Sequence, residues 1–116
     1  MNSAAKGTRL EKEFDDYLQA LGYLTHRAKR TAWAANDIWG CHDIMARHKK
    51  RPNRIVYIQV STEWRLTDRE DCRTMLYGRF EQPYLALKRR EKWMVRPLVK
   101  AIKEWGEPRE YKGGFL

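Results

Sequence analysis

Between Ile55 and Ser61 the chain reads IVYIQVS, a run of β-branched and aromatic residues whose alternate positions separate into an apolar set, Val56, Ile58 and Val60, and a more polar set, Tyr57, Gln59 and Ser61. A period of two fits a strand and no helix. Upstream, Cys41, Asp43 and Met45 alternate with His42 and Ile44, and the basic turn from His48 to Arg54 carries the Pro and Asn that a chain reversal favours. The stretch from Asn36 to Ser61 is therefore expected to form a β-hairpin with Asp43 on its first strand. Paired in register, it brings Asp43 beside Gln59 and Ser61. A structural hairpin has no evident need of that arrangement.

The rest of the chain supplies elements to hold it. With 116 residues, the sequence has the size of one domain, 1–116, around one core. Leu10, Phe14, Tyr17, Leu18 and Leu21 recur at helical spacing and Gly22 follows at a C-cap position, which predicts a helix over Thr8 to Leu21. Thr8 and Glu11 form a capping box, yet Glu11 also borders the apolar stripe and could point toward Asp43; both roles stand open. Tyr23 to Arg27 reads as a strand. Ala28 to Asn36 is aperiodic, basic and aromatic, with Trp33 either closing the core or stacking on a base. After the hairpin come a loop over Ser61 to Leu66 and a helix over Thr67 to Tyr77 that ends at Gly78. A helical region over Pro83 to Trp105 is expected to break at Pro97, leaving Leu98, Val99, Ile102 and Trp105 as the apolar face of its second part. Lys88, Arg89, Arg90 and Lys92 then form a basic cluster on a solvated helix face. An edge strand follows over Arg109 to Tyr111. The expected fold class is α/β, a central mixed sheet of about four strands with the first helix on one side and the later helices on the other.

Charge narrows the partner. The 24 Lys and Arg exceed the 15 Asp and Glu by enough to give a formal net charge of +9 and a pI near 9.8, which favours nucleic acid. The candidate contacts are Lys6, Arg9, Arg27, Lys29, Arg30, Lys49 and Lys50, with Trp33 as a stacking surface. No membrane element is expected, since apolar runs such as Ile55 to Ile58 are far too short to span a bilayer. Cys41 and Cys72 belong to no CxxC pair, and Met1 to Lys6 lacks an apolar stretch; the expectation is a cytoplasmic protein. Zinc ligation by Cys41, His42, His48 and Cys72 matches no usual spacing.

In this setting the motifs KGTRLEKEF with Lys6, Gly7 and Glu11, WGCHDIMA with Asp43, and YIQVS with Gln59 follow one another as helix, strand, acid-bearing strand and second site-bearing strand. Over residues 6–62 the chain resembles the PD-(D/E)XK nuclease superfamily, with the nearest likeness to archaeal-type Holliday junction resolvases and their small phage or bacterial relatives. The resemblance implies a restriction-endonuclease-like fold and a metal-dependent, structure-directed DNA endonuclease. It implies a divalent cation, magnesium or manganese, held by Asp43, Gln59 and the Val60 carbonyl, with Glu11 supporting the metal shell. It further implies branched DNA as substrate and a homodimer, for which Trp93, Met94 and Val95 offer an interface on the later helices.

The sequence departs from the family pattern at three positions. His42 replaces a proline that shapes the backbone, Gln59 replaces an acid with a neutral oxygen, and Ser61 stands where the family has a lysine. Loss of a positioned proton-transfer group typically costs on the order of a hundred- to ten-thousand-fold in rate. Either the lysine has moved, Lys29 being the first candidate and Lys6 the second, or the fold is kept as a weakened or inactive module that binds branched DNA or structured RNA. A nuclease or toxin directed at RNA is a third reading.

Overall fold

The computed structural model describes residues 3–28, 38, 41–64 and 70–116, with side chains from 9 onward except at 71. Lys29, Arg30 and Trp33 lie outside the described residues, as does the side chain of Lys6. In chain order the elements are helix α1 (Ser3–Ala20), strands β1 (Tyr23–Arg27), β2 (Ile44–His48) and β3 (Ile55–Ser61), helix α2 (Glu70–Thr74), and strands β4 (Glu81–Arg89), β5 (Lys92–Val99), β6 (Glu104–Trp105) and β7 (Arg109–Glu110).

The strands form one seven-stranded sheet in the order β1-β2-β3-β4-β5-β6, with β7 also paired to β5. Every pairing is antiparallel except that of β3 with β4, which run parallel from Ile55 beside Glu81 to Ser61 beside Leu87. The fold is thus α/β with a mixed, mostly antiparallel sheet. It is larger than the expected four strands, and among the described residues no long helix follows β3.

A central strand is covered on both faces. In β3 Val56, Tyr57 and Ile58 are all buried, so Tyr57 is core rather than part of a polar face. Helix α1 covers one face by setting Leu10, Phe14 and Leu18 on Val56, Ile58 and Val60, with Trp93 and Val95 completing the layer. The Phe14 ring stands 4.5 Å from that of Trp93. Burying a side chain of this kind contributes about 2 to 3 kcal/mol. On the opposite face Cys41, Cys72, Leu85, Leu98 and Trp105 pack with Trp64, Met75 and Tyr77. No helix among the described residues is long and apolar enough to cross a membrane.

The helical reading of Pro83 to Trp105 is overturned: this region is the hairpin of β4 and β5. Tyr84 to Leu87 is buried without interruption, as a strand covered on both faces must be, and a continuous apolar run does not reveal its period. Beyond it, buried Trp93 and Val95 alternate with half-buried Met94 and Arg96. Pro97 lies within β5 opposite Tyr84 and breaks nothing. Trp93 and Val95 are thereby buried in the core, while Met94, between them, is half-buried. Of the expected helix over Thr67 to Tyr77, Glu70–Thr74 forms α2, Met75 to Tyr77 lie beyond its end and 67–69 lie outside the described residues, while Asp43 stands one residue ahead of β2 rather than within it.

The turn of this hairpin was hidden for a chemical reason. Arg89 pairs with Lys92, leaving Arg90 and Glu91 as a two-residue loop with φ of +52° and +65°. Both central residues occupy the left-handed region that such turns usually fill with Asn and Gly. A side chain there costs on the order of 1 kcal/mol or more. Glu91→Gly is expected to raise stability by about 1 kcal/mol and Tm by about 4 °C, read by thermal unfolding; the exposed ion pair it removes, with Lys88 at 3.3 Å, offsets only a fraction of that.

Candidate active site

Helix α1 runs antiparallel to β1, and the two meet through polar side chains. Asp15 accepts hydrogen bonds from the Thr25 hydroxyl and, at 3.0 Å, from the Gln19 amide; four residues earlier Glu11 lies 4.0 Å from the Arg27 guanidinium. Four helical residues rise about 6 Å and two strand residues about 6.6 Å, so one polar pairing sets the next in register. Both acids are buried, Glu11 at 3% exposure and Asp15 at 8%. A buried carboxylate needs compensation, which Arg27 supplies for Glu11.

Arg27 in turn leads to Asp43. It pairs with Ile44 across the β1 to β2 ladder, and the next amide, of Ala28, donates to the Asp43 carbonyl at 2.8 Å. The Asp43 side chain, 3% exposed, accepts the backbone N–H of Val60 at 2.8 Å through Oδ2. That bond fixes the carboxylate against the end of β3. The Asp43 amide donates to the Ile58 carbonyl at 2.9 Å, and extending the register of Ile44 with Ile58 places Asp43 beside Gln59. Gln59 accepts the Cys72 thiol at 3.7 Å, a weak contact that Cys72 shares with the Cys41 carbonyl at 3.8 Å. Ser61, half-buried, closes β3.

The structure thus gathers Glu11, Arg27, Asp43, Gln59, Val60 and Ser61 at one end of the sheet. Arg9, the first side chain described in α1, stands exposed two residues ahead of Glu11, at the same end. Lys49 and Lys50 do not join them: they lie in the turn between β2 and β3, about 20 Å along β2 from Asp43. Among the described residues no group of three His, Cys, Asp or Glu side chains converges on one point. Two buried carboxylates, an amide whose oxygen is turned to the Cys72 thiol, and a backbone carbonyl lie at this end. Hard oxygens of this kind are the ligand class of magnesium, which takes one or two carboxylates and keeps waters.

Behind Asp43 lies a network that sequence reading passed over. His42 is fully buried, stacked on Tyr57 with ring centroids 5.2 Å apart, and its Nε2 is 2.8 Å from the Tyr77 hydroxyl. Tyr77 donates its own proton to the Cys72 carbonyl at 2.7 Å, so His42 donates from Nε2 and presents a bare Nδ1 without a hydrogen-bond partner. The Tyr57 hydroxyl at 2.5 Å and the Gly78 amide at 2.6 Å hold the Glu81 carboxyl below its usual range. His42 is therefore a side-chain anchor directly ahead of Asp43. The available signal was a histidine in a stretch flanked by apolar residues, which by itself does not distinguish core from surface.

Burial lowers the His42 pKa from 6.5 to about 4. The unfolded chain takes up a proton that the native ring refuses, so native stability is full above pH 6.5 and falls as pH drops toward 4. The loss expected from this group is about 3 kcal/mol. Urea unfolding of the parent and of His42→Gln between pH 7 and 4 is expected to show a difference of that order in their acid sensitivity. Equal pH dependence would remove His42 as the cause.

No protein-family model matches the chain, and no curated protein or solved structure matches it, so the chemistry of this end of the sheet rests on its own residues.

Proposed function

We propose that the protein is a magnesium-dependent, structure-directed DNA endonuclease of the PD-(D/E)XK kind, with its centre at Asp43. The observation that carries this reading is the buried Asp43 carboxylate held by the Val60 amide beside Gln59, with Glu11 brought to the same end of the sheet through Arg27. The order helix, strand, Asp43, Gln59-bearing strand within a mixed sheet is the order that the sequence resemblance implies, and it supports a restriction-endonuclease-like fold. A net charge of +9 supports a polyanionic substrate.

Asp43, Gln59, the Val60 carbonyl and Glu11 would hold the cation. Bound magnesium supplies a Lewis acid that acidifies water and offsets phosphate charge. The Val60 amide orients the Asp43 carboxylate and removes one of its rotational freedoms. Gln59 lowers the negative charge of the oxygen set relative to an acid, which would weaken ion binding.

The missing lysine has a replacement in Arg27. Its guanidinium lies at the acid end, its Nε is buried without a hydrogen-bond partner, and the side chain retains 29% exposure on the outer side. A guanidinium keeps its proton at any working pH, so Arg27 offsets developing phosphate charge and cannot serve as a base. The proton of the attacking water would then pass to bulk solvent, a transfer that the lowered pKa of a metal-bound water would permit.

The alternative function is a weakened or inactive module that binds branched DNA, and it is favoured by Ser61 at the lysine position. Cleavage of labelled four-way junction, flap and duplex DNA with magnesium, with manganese and with chelator separates the two. The parent is expected to cut only with metal. Asp43→Asn is expected to lose cleavage while binding DNA as the parent does, and full activity in that variant overturns the site. Arg27→Lys should retain cleavage within about tenfold, and Arg27→Gln should lose about a hundredfold or more, with circular dichroism checking the fold. Binding without cutting by all four proteins would establish the inactive module.

A further inference from the structure

The basic cluster Lys88 to Lys92, expected on a solvated helix, forms the tip of the hairpin of β4 and β5, and parallel pairing of β3 with β4 sends that tip to the end of the sheet that carries Asp43. Between the tip and α1 lies a cleft of about 560 Å³ lined by Arg9, Lys12, Thr62, Lys88 and Arg90 together with three acids. The acids are already engaged: Lys88 lies 2.5 Å from Glu13 and 3.3 Å from Glu91, and Lys12 lies 2.7 Å from Asp16. Among the described residues no ion pair involves Arg9, Arg89, Arg90 or Lys92, and all four are exposed. Thr62 follows directly on Ser61, so the cleft adjoins the candidate centre. Arg90 moreover holds its guanidinium at a turn position of φ +52° that Asn or Gly would fill with less strain. Strain of this kind collects where a side chain is kept for what it contacts.

We infer that the hairpin tip, Arg89, Arg90 and Lys92, with Arg9 across the cleft, grips the phosphate backbone of a double-stranded DNA arm flanking the cut. This inference rests on the reading of the Asp43 end as a nuclease centre. Asp43 lies beside Gln59, Gln59 pairs with Leu85, and Arg89 is four residues further along β4, two strand spacings away from β2. The tip is therefore about 16 Å from Asp43. That distance corresponds to about five base pairs along B-DNA, so the grip requires a duplex arm of at least that length.

The test is DNA binding by fluorescence anisotropy in chelator over a range of salt, together with magnesium-dependent cleavage, for the parent, Arg90→Asn and the triple variant Arg89→Gln, Arg90→Asn, Lys92→Gln. Asn accepts a left-handed turn position more readily than Arg, so Arg90→Asn is expected to melt no lower than the parent. Its salt slope should fall by about one, and its affinity at 0.1 M salt roughly eightfold; the triple variant should lose correspondingly more. Shortening the duplex arm below about five base pairs should make the parent bind like the triple variant. Parent-like slope and affinity in a folded triple variant would overturn the grip while leaving the nuclease reading intact. Conversely, a parent that binds with the expected slopes and cuts nothing would overturn the nuclease reading and support the grip. A parent that binds no duplex at low salt overturns both.

Discussion

Strand β3 is hydrogen-bonded antiparallel to β2 on one side and parallel to β4 on the other, and that double pairing decides where everything else falls. Its antiparallel side returns the chain so that Asp43 stands beside Gln59, with the Val60 amide as the clasp. Its parallel side carries β4 toward the same end, so that the next reversal, at Arg90 and Glu91, also arrives there. Had β4 run the other way, its basic tip would lie beside Lys49 and Lys50. The apolar burial of Val56, Tyr57 and Ile58 fixes the strand at the centre of the sheet and thus makes both pairings necessary.

What could be read in the sequence follows from how local each signal is. The helix around Leu10, Phe14 and Leu18 and the strands Tyr23 to Arg27 and Ile55 to Ser61 are set by short-range periodicity, and they form where expected apart from boundaries. The meeting of Asp43 with Gln59 is set by register across one turn, which is nearly as local. The hairpin of β4 and β5 escaped because Tyr84 to Leu87 is buried on both faces and because its turn uses Arg and Glu in place of Asn and Gly. Tertiary burial overrode the weak helical pattern. The position of Arg27 was legible as a strand residue but not as the partner of Glu11, since that contact depends on how α1 settles on the sheet.

Arg27 and His42 show two ways in which one residue serves both scaffold and site. Arg27 makes the burial of Glu11 tolerable and keeps a fixed positive charge at the acid end. His42 fills the space beneath the segment that carries Asp43 and, through Tyr77 and Cys72, reaches the side chain of Gln59. In each case a polar group next to the candidate centre is held by a residue that also packs within the fold. Changes on the covered face of the sheet, remote from solvent, therefore act on the open end.

Within the sheet, the first three strands form one meander and the last four strands another, and only the parallel pair joins them across the segment 62–80. The turns from β2 to β3 and from β4 to β5 are short, whereas the pairings of Tyr23 with His48 and of Ile55 with Glu81 each close over a much longer stretch of chain. The acids belong to the first meander and the basic tip to the second. A chain in which only one meander is in place therefore carries either Asp43 or the basic tip, and the two share one end only where β3 and β4 lie side by side.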